Sequence, residues 1–131
     1  MKNISRKNKT ITAAVFLLAA LFYAAPAFSD VPPEQKPEVE FLIETIRTTD
    51  CKFDRNGKTY NGKKAASHLE RKYNHYKDEI TSTETFIEYS ATKSMITGAD
   101  YYIVCPGAAP VRSQDWLLQK LSEFRKKSEA N

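Results

Sequence analysis

A small α+β domain, with about four helices packed on a short three-stranded and mostly antiparallel sheet, is the fold class that residues 38–127 predict. Three observations carry this reading. Val39, Leu42, Ile43 and Ile46 fall at i, i+3, i+4 and i+7, the apolar stripe of a helix. Asn56-Gly57 stands between two short runs, Cys51-Lys52-Phe53-Asp54 and Lys58-Thr59-Tyr60, as the strongest local hairpin signal. Residues 101–105 form a β-rich run between helical segments and are expected as the central strand.

The remaining elements follow in chain order. Residues 30–37 hold three prolines and several charges and are expected as an extended lead-in. The first helix runs from about Glu38 until Thr48-Thr49-Asp50 end it. After the hairpin, Asn61-Gly62 breaks the second strand. Residues 63–78 are expected as a second helix, with Ala65, Leu69, Tyr73, Tyr76 and then Ile80 on one side. Thr81-Ser82-Thr83-Glu84 contains a Ser/Thr-x-x-Glu capping box for a third helix carrying Phe86, Ile87 and Ala91. A frayed stretch around residues 94–97 leads to Gly98, which ends that segment. Pro106-Gly107 stops the central strand. Ser113 is expected to cap a last helix, with Asp115 near its positive end and Trp116, Leu117, Leu121 and Phe124 buried. Arg125-Lys126-Lys127 lies at the negative end, and residues 128–131 form a frayed tail.

Residues 1–29 read as a cleaved secretory signal peptide. Lys2, Arg6, Lys7 and Lys9 precede an apolar run over residues 11–25, and Ala27-Phe28-Ser29 offers small residues at positions −3 and −1 of a cut near Ser29–Asp30. The apolar run falls short of the roughly 20 residues that span a bilayer. A periplasmic product without a stable membrane anchor is therefore expected. The leader holds four of the 20 basic residues and no acid, so residues 30–131 balance 16 basic against 16 acidic side chains. That balance argues against a nucleic-acid binder working by global positive charge. A chain of 131 residues also leaves room for only one core.

Export gives Cys51 and Cys105 their meaning. They are the only cysteines, 54 positions apart, in what is expected to be an oxidising compartment. A structural disulfide is the primary reading and contributes roughly 4 kcal/mol in the chain-entropy model. The redox alternative needs closely spaced cysteines with a lowered thiol pKa, a setting that neither has.

The chemistry-bearing residues gather on the second helix. His68, Arg71, Lys72 and His75 make a basic stripe opposite Leu69, Tyr73 and Tyr76. It reads either as the solvated face of an amphipathic helix or, with Arg55 beside it, as an edge that binds a carboxylate or phosphate. His68 and His75 stand about 10.5 Å apart along a helix, too far to share a metal. His75 with Glu79 has ligand spacing but no third ligand, so neither a metal nor a cofactor is expected. A hydrolase would need a serine beside a histidine. Ser94 with His68 is the spatial pair to test, and no serine has the nucleophile-elbow setting.

Arg55-Asn56-Gly57, then Ala65-Ala66-Ser67-His68-Leu69 with Lys72, resembles the middle of the YfeK-like proteins, small exported bacterial proteins of unknown function. Glu84, Phe86-Ile87, Ser94, Thr97-Gly98, Tyr101, Ile103 and Pro106-Gly107 continue the likeness, which extends roughly from Val39 to Phe124. The resemblance supplies no activity. It implies a candidate binding set of Arg55, Asn56, His68, Lys72, Ser94 and Thr97, polar motif positions without an evident core duty. Asn56 and Thr97 have the alternative role of shaping turns. The resemblance also implies that the disulfide stabilises this branch and is not the family's chemistry.

The expected function is a non-catalytic binding or accessory module of the cell envelope, monomeric, with an envelope protein or a small anionic ligand as partner. The alternatives are an anion binder using Arg55, His68 and Lys72, and an envelope hydrolase.

Overall fold

The computed structural model describes residues 30–131. The expected signal peptide lies outside them. After a 3-10 turn at Pro33–Gln35 come helix α1 (Lys36–Thr48), strands β1 (Lys52–Arg55) and β2 (Lys58–Tyr60), and helices α2 (Gly62–His75) and α3 (Thr83–Ala91). Strands β3 (Tyr102–Val104) and β4 (Val111–Arg112) precede helix α4 (Ser113–Glu129). The strands form one sheet in the order β2-β1-β3-β4, every pair antiparallel. The α+β class and the four helices agree with the sequence reading, and the sheet has four strands where three were expected.

The hairpin forms where Asn56-Gly57 places it. Both residues have positive φ, 53° and 75°, the geometry of a two-residue turn that matches strand twist. Phe53 pairs with Ile103 across β1 and β3, and both are buried against the helices. Lys52 and Tyr102 alternate to the exposed face. Leu42 and Ile46 of α1, Leu69 of α2, Phe86 and Ile87 of α3, and Leu117 and Leu121 of α4 complete the core.

Several boundaries differ from expectation, each for a local reason. Residues 30–37 are not a plain extended lead-in, because Val31 is buried and α1 already starts at Lys36, with Pro37 in its first turn. The capping box sits one residue later than the Thr81–Glu84 pattern: Ser82 accepts from the Thr85 amide, and the Thr85 hydroxyl accepts from the Ser82 amide. Residues 94–97 are a built turn and not a frayed end. Ser94 Oγ accepts from the amides of Ile96 and Thr97, and Lys93 bridges to Asp100. Ser113 does not cap α4. Arg112 occupies the N-cap, while Ser113 is the first helical residue and is buried. α2 stops at His75, three residues short of the expected end, and Ile80 reaches the core through the turn that follows.

Cys51 and Cys105 form a disulfide. Lys52 pairs with Val104, so the two cysteines flank the next position out on neighbouring strands. The bridge staples strand to strand within one sheet.

Candidate functional site

The expected site residues gather at the other end of β1. Arg55 ends that strand, and Asn56 follows in the turn. His68 and Lys72, four apart on α2, present the same face towards the hairpin. Gly62 sets how α2 enters this position. A Cβ there would overlap the carbonyl oxygen of Ile46, so glycine is what lets the start of α2 cross close behind the end of α1. The Asn61 side chain caps the helix by accepting from the Lys64 amide at 3.0 Å.

Between α2, the hairpin and the turn after α3 lies an open cleft of about 610 Å³. Arg55, Asn56, His68, Lys72 and Ser94 all line it. Thr97 does not, but its hydroxyl donates to Asn56 Oδ1 at 2.8 Å and so joins the hairpin turn to the opposite rim. Both are therefore turn-shaping residues, and Asn56 also faces the cleft.

Sequence reasoning missed the aromatic half of the site. Tyr60, Tyr76 and Tyr101 share the cleft with Lys58, Arg71 and His75, while Met95 and Ile96 form its apolar lip. Ile96 is 96% exposed. Tyr76 was expected opposite the basic stripe. It does pack partly against the core, and it also lines the cleft, because it caps α2 four positions after Lys72. The Arg55 guanidinium stands 4.3 Å from the Tyr60 ring centre, and Lys72 Nζ 5.1 Å from that of Tyr101. His68 meets Tyr101 edge-on with 6.0 Å between ring centres.

Every strongly charged side chain lining this cleft is basic, namely Arg55, Lys58, Arg71 and Lys72, and no carboxylate joins them. Burial, followed by the positive charges of Arg55, Lys72 and Arg71, pushes the His68 imidazole down to about 4. Burial and then Arg55 push the Lys72 ammonium down to about 8. Lys72 is only 9% exposed and still donates from Nζ to the Lys93 carbonyl at 2.9 Å. Cations crowded together without anions favour a negatively charged guest, which relieves their mutual repulsion.

The Ser94–His68 pair lines one cleft without pairing. Ser94 Oγ accepts from two backbone amides of its own turn, and no hydrogen bond joins it to His68 among the described residues. No cluster of three His, Cys, Asp or Glu side chains is arranged to hold a metal among those residues. None of their helices is long and apolar enough to cross a membrane.

A family model described as a family of unknown function (DUF5329) matches residues 33–125. The Salmonella typhimurium protein named Uncharacterized protein YfeK is 32% identical over 95 residues, which cover 72% of this chain and 76% of that protein. No solved structure matches.

Proposed function

The chain belongs to the YfeK-like DUF5329 family of unknown function, and from that premise we propose an exported, non-catalytic binding protein of the periplasm whose cleft holds a small anion. The observation that carries this reading is the wholly basic set of charges around the cleft, with Lys72 nearly buried among them. A carboxylate or phosphate placed there takes charge-assisted hydrogen bonds from Arg55 and Lys72, a geometry that guanidinium groups suit well. The three tyrosines supply amphipathic walls for an aromatic or apolar body attached to the anion.

Export and processing rest on the leader pattern of residues 1–29. Cell fractionation with N-terminal sequencing of the product tests them, with Asp30 as the expected first residue.

Binding is tested by thermal melts and calorimetric titration with inorganic phosphate and phenyl phosphate. A bound anion raises Tm by mass action. The Arg55→Gln/Lys72→Met double variant, shown folded by circular dichroism, is expected to lose that rise. Melting temperatures that neither probe moves would sink the anion reading.

A second reading is favoured by the exposed Met95 and Ile96 beside the cations. Here the anion is the carboxylate of an envelope protein, and the lip packs against it. In-cell crosslinking that captures one partner with the native protein and loses it with Ile96→Ser selects this reading.

A further inference from the structure

The basic surface does not end with the cleft. A second open hollow of about 360 Å³ adjoins it along α2, lined by Arg55, Tyr60, Lys63, Lys64, Ser67 and Arg71. Arg55, Tyr60 and Arg71 belong to both cavities, so the two make one continuous tract. Six cations line it, Arg55, Lys58, Lys63, Lys64, Arg71 and Lys72, and no carboxylate does. Residues 30–131 balance acid against base, so this concentration comes from placement. The acids nearest in sequence turn elsewhere. Glu70, the one acid of α2, reaches back to Arg47 of α1 at 2.7 Å. Asp54, next to Arg55 on β1, alternates to the opposite face of the sheet and lines a hollow there with Asp100 and Tyr102. The ion pairs among the described residues all use other cations, so none of the six has a carboxylate partner.

The rim of the cleft adds an apolar contact. The turn after α3 carries Met95 and the almost fully exposed Ile96. That turn is held in place, since Ser94 Oγ accepts from two of its amides and Lys72 Nζ donates to the Lys93 carbonyl. The apolar pair is thus fixed beside the cations.

We infer that this tract is a docking surface for an extended acidic segment of a partner protein, with carboxylates over α2 and an apolar side chain against Ile96. The inference rests on the reading of the cleft as an anion site and gives its guest a length and a composition. Lys63 and Lys72 stand nine positions apart, about 13.5 Å along the helix. An extended chain covers that span in about four residues, and contact with the lip lengthens the segment to about six. One carboxylate meets Arg55 and Lys72 in the cleft. A second meets Lys63 and Lys64, which line only the adjoining hollow. A linear polyphosphate offers the same charges but has no apolar group to cover Ile96. That contact favours a peptide.

The test begins with random hexapeptides displayed on phage and selected on the immobilised, purified protein. Enriched sequences are expected to hold two or more Asp or Glu and one Leu, Ile, Met or Phe. The most enriched peptide, synthesised with blocked ends, is titrated by calorimetry beside inorganic phosphate and tripolyphosphate. Lys63→Gln/Lys64→Gln is expected to weaken the peptide by about 5-fold or more and to weaken phosphate much less, since phosphate needs only the cleft. Ile96→Ser is expected to weaken the peptide by about 5-fold or more and to leave tripolyphosphate binding as it is. All three side chains are exposed, so the variants should fold, and circular dichroism checks this. Selection without acidic enrichment, or either variant binding the peptide as the native protein does, overturns the proposal. So does tripolyphosphate binding more tightly than the peptide, the result of an inorganic polyanion site. Phosphate binding without acidic enrichment sinks only the extended segment. Phosphate that does not bind, with enriched peptides that lack acids, sinks the anion reading as well.

Discussion

Lys72 Nζ donates to the backbone carbonyl of Lys93 at 2.9 Å, across 21 residues of chain. Lys93 is also the residue that bridges to Asp100 and closes the turn carrying Met95 and Ile96. One ammonium thus anchors the apolar lip while it lines the cationic cleft. Its burial and the neighbouring Arg55 hold it down to about 8, so it discharges just above neutral pH. Anion affinity is expected to fall as pH rises through about 8, and binding near that pH should take up a proton. Titration calorimetry in buffers of different ionisation heat reads both. Lys72→Met is expected to weaken binding at pH 7 by about 10-fold or more, the loss of one charge-assisted hydrogen bond, and to flatten the profile. A native protein whose affinity is constant across this range would remove Lys72 from the site.

His68 governs the acid side. The folded protein keeps its imidazole neutral down to about 4, whereas an unfolded chain protonates it near 6.5. The unfolded state therefore holds more protons between these values. Stability rises with pH through this window and is lost as pH falls through it. Asp30, Glu38 and Glu84 all sit below the usual carboxylate range and add their own acid sensitivity. The informative quantity is therefore the difference between variants. His68→Gln is expected to flatten the decline in Tm from pH 6.5 to 4 relative to the native protein. Parallel curves would mean that His68 titrates normally.

Gly62 makes a steric prediction independent of any ligand. A methyl group there would overlap the Ile46 carbonyl oxygen and stand 3.0 Å from that of Arg47. Backbone at the end of α1 cannot give way as a flexible side chain would. Gly62→Ala is expected to destabilise the protein by about 1–3 kcal/mol, even though alanine ordinarily favours helices. A denaturant melt showing equal or greater stability would contradict the close crossing of α1 and α2.

How much of this was legible depends on the range of each interaction. The hairpin was readable because Asn56 and Gly57 supply its positive φ values locally. The strand β4 was not. Val111 and Arg112 have no run of their own, and their pairing with Ile103 and Tyr102 supplies the structure. Ser113 looked like a helix cap because a hydroxyl before an acidic first turn usually is one, but Arg112 occupies the cap and Ser113 is buried instead. His68, Arg71, Lys72 and His75 of the cleft were visible through their helical spacing on α2. Tyr101 and Ser90 were not, since only the packing of α2 and α3 against the sheet brings them beside Arg55 and His68.

Arg125 binds the helical layer together. Its guanidinium grips both carboxylate oxygens of Glu38 at 2.7 and 2.8 Å and donates to Glu84 at 2.5 Å, joining α4 to α1 and α3. Glu38 also accepts from the Thr83 hydroxyl at 2.6 Å, so the network reaches the first turn of α3. Glu38 is largely shielded, with its side chain 14% exposed, while Arg125 is 39% exposed. Solvent screening therefore reduces the gain, and Arg125→Ala is expected to cost about 1–2 kcal/mol. A thermal melt should register the change as a drop of roughly 4–8 °C per kcal/mol. High salt should shrink the difference between native and variant proteins. An unchanged Tm would leave the network without a share in stability.

The disulfide and the cleft occupy opposite ends of the same strand. Cys51 precedes β1 and Arg55 ends it, four residues or about 13 Å away along an extended chain. Between them, Phe53 is buried against Ile103 and the helices, which fixes β1 through its core face as well as through the bridge. Replacing Cys51 and Cys105 by serine frees a 54-residue separation in the unfolded chain and is expected to lower stability by roughly 4 kcal/mol or less. The Tm should fall markedly. Where the variant is still folded, anion affinity should stay within about twofold of native, a difference of only ~0.4 kcal/mol. Calorimetry on the serine variant below its Tm separates the two effects. A Tm loss with intact binding identifies a structural staple. Loss of binding in folded protein would show instead that the bridge sets the register on which Arg55 depends.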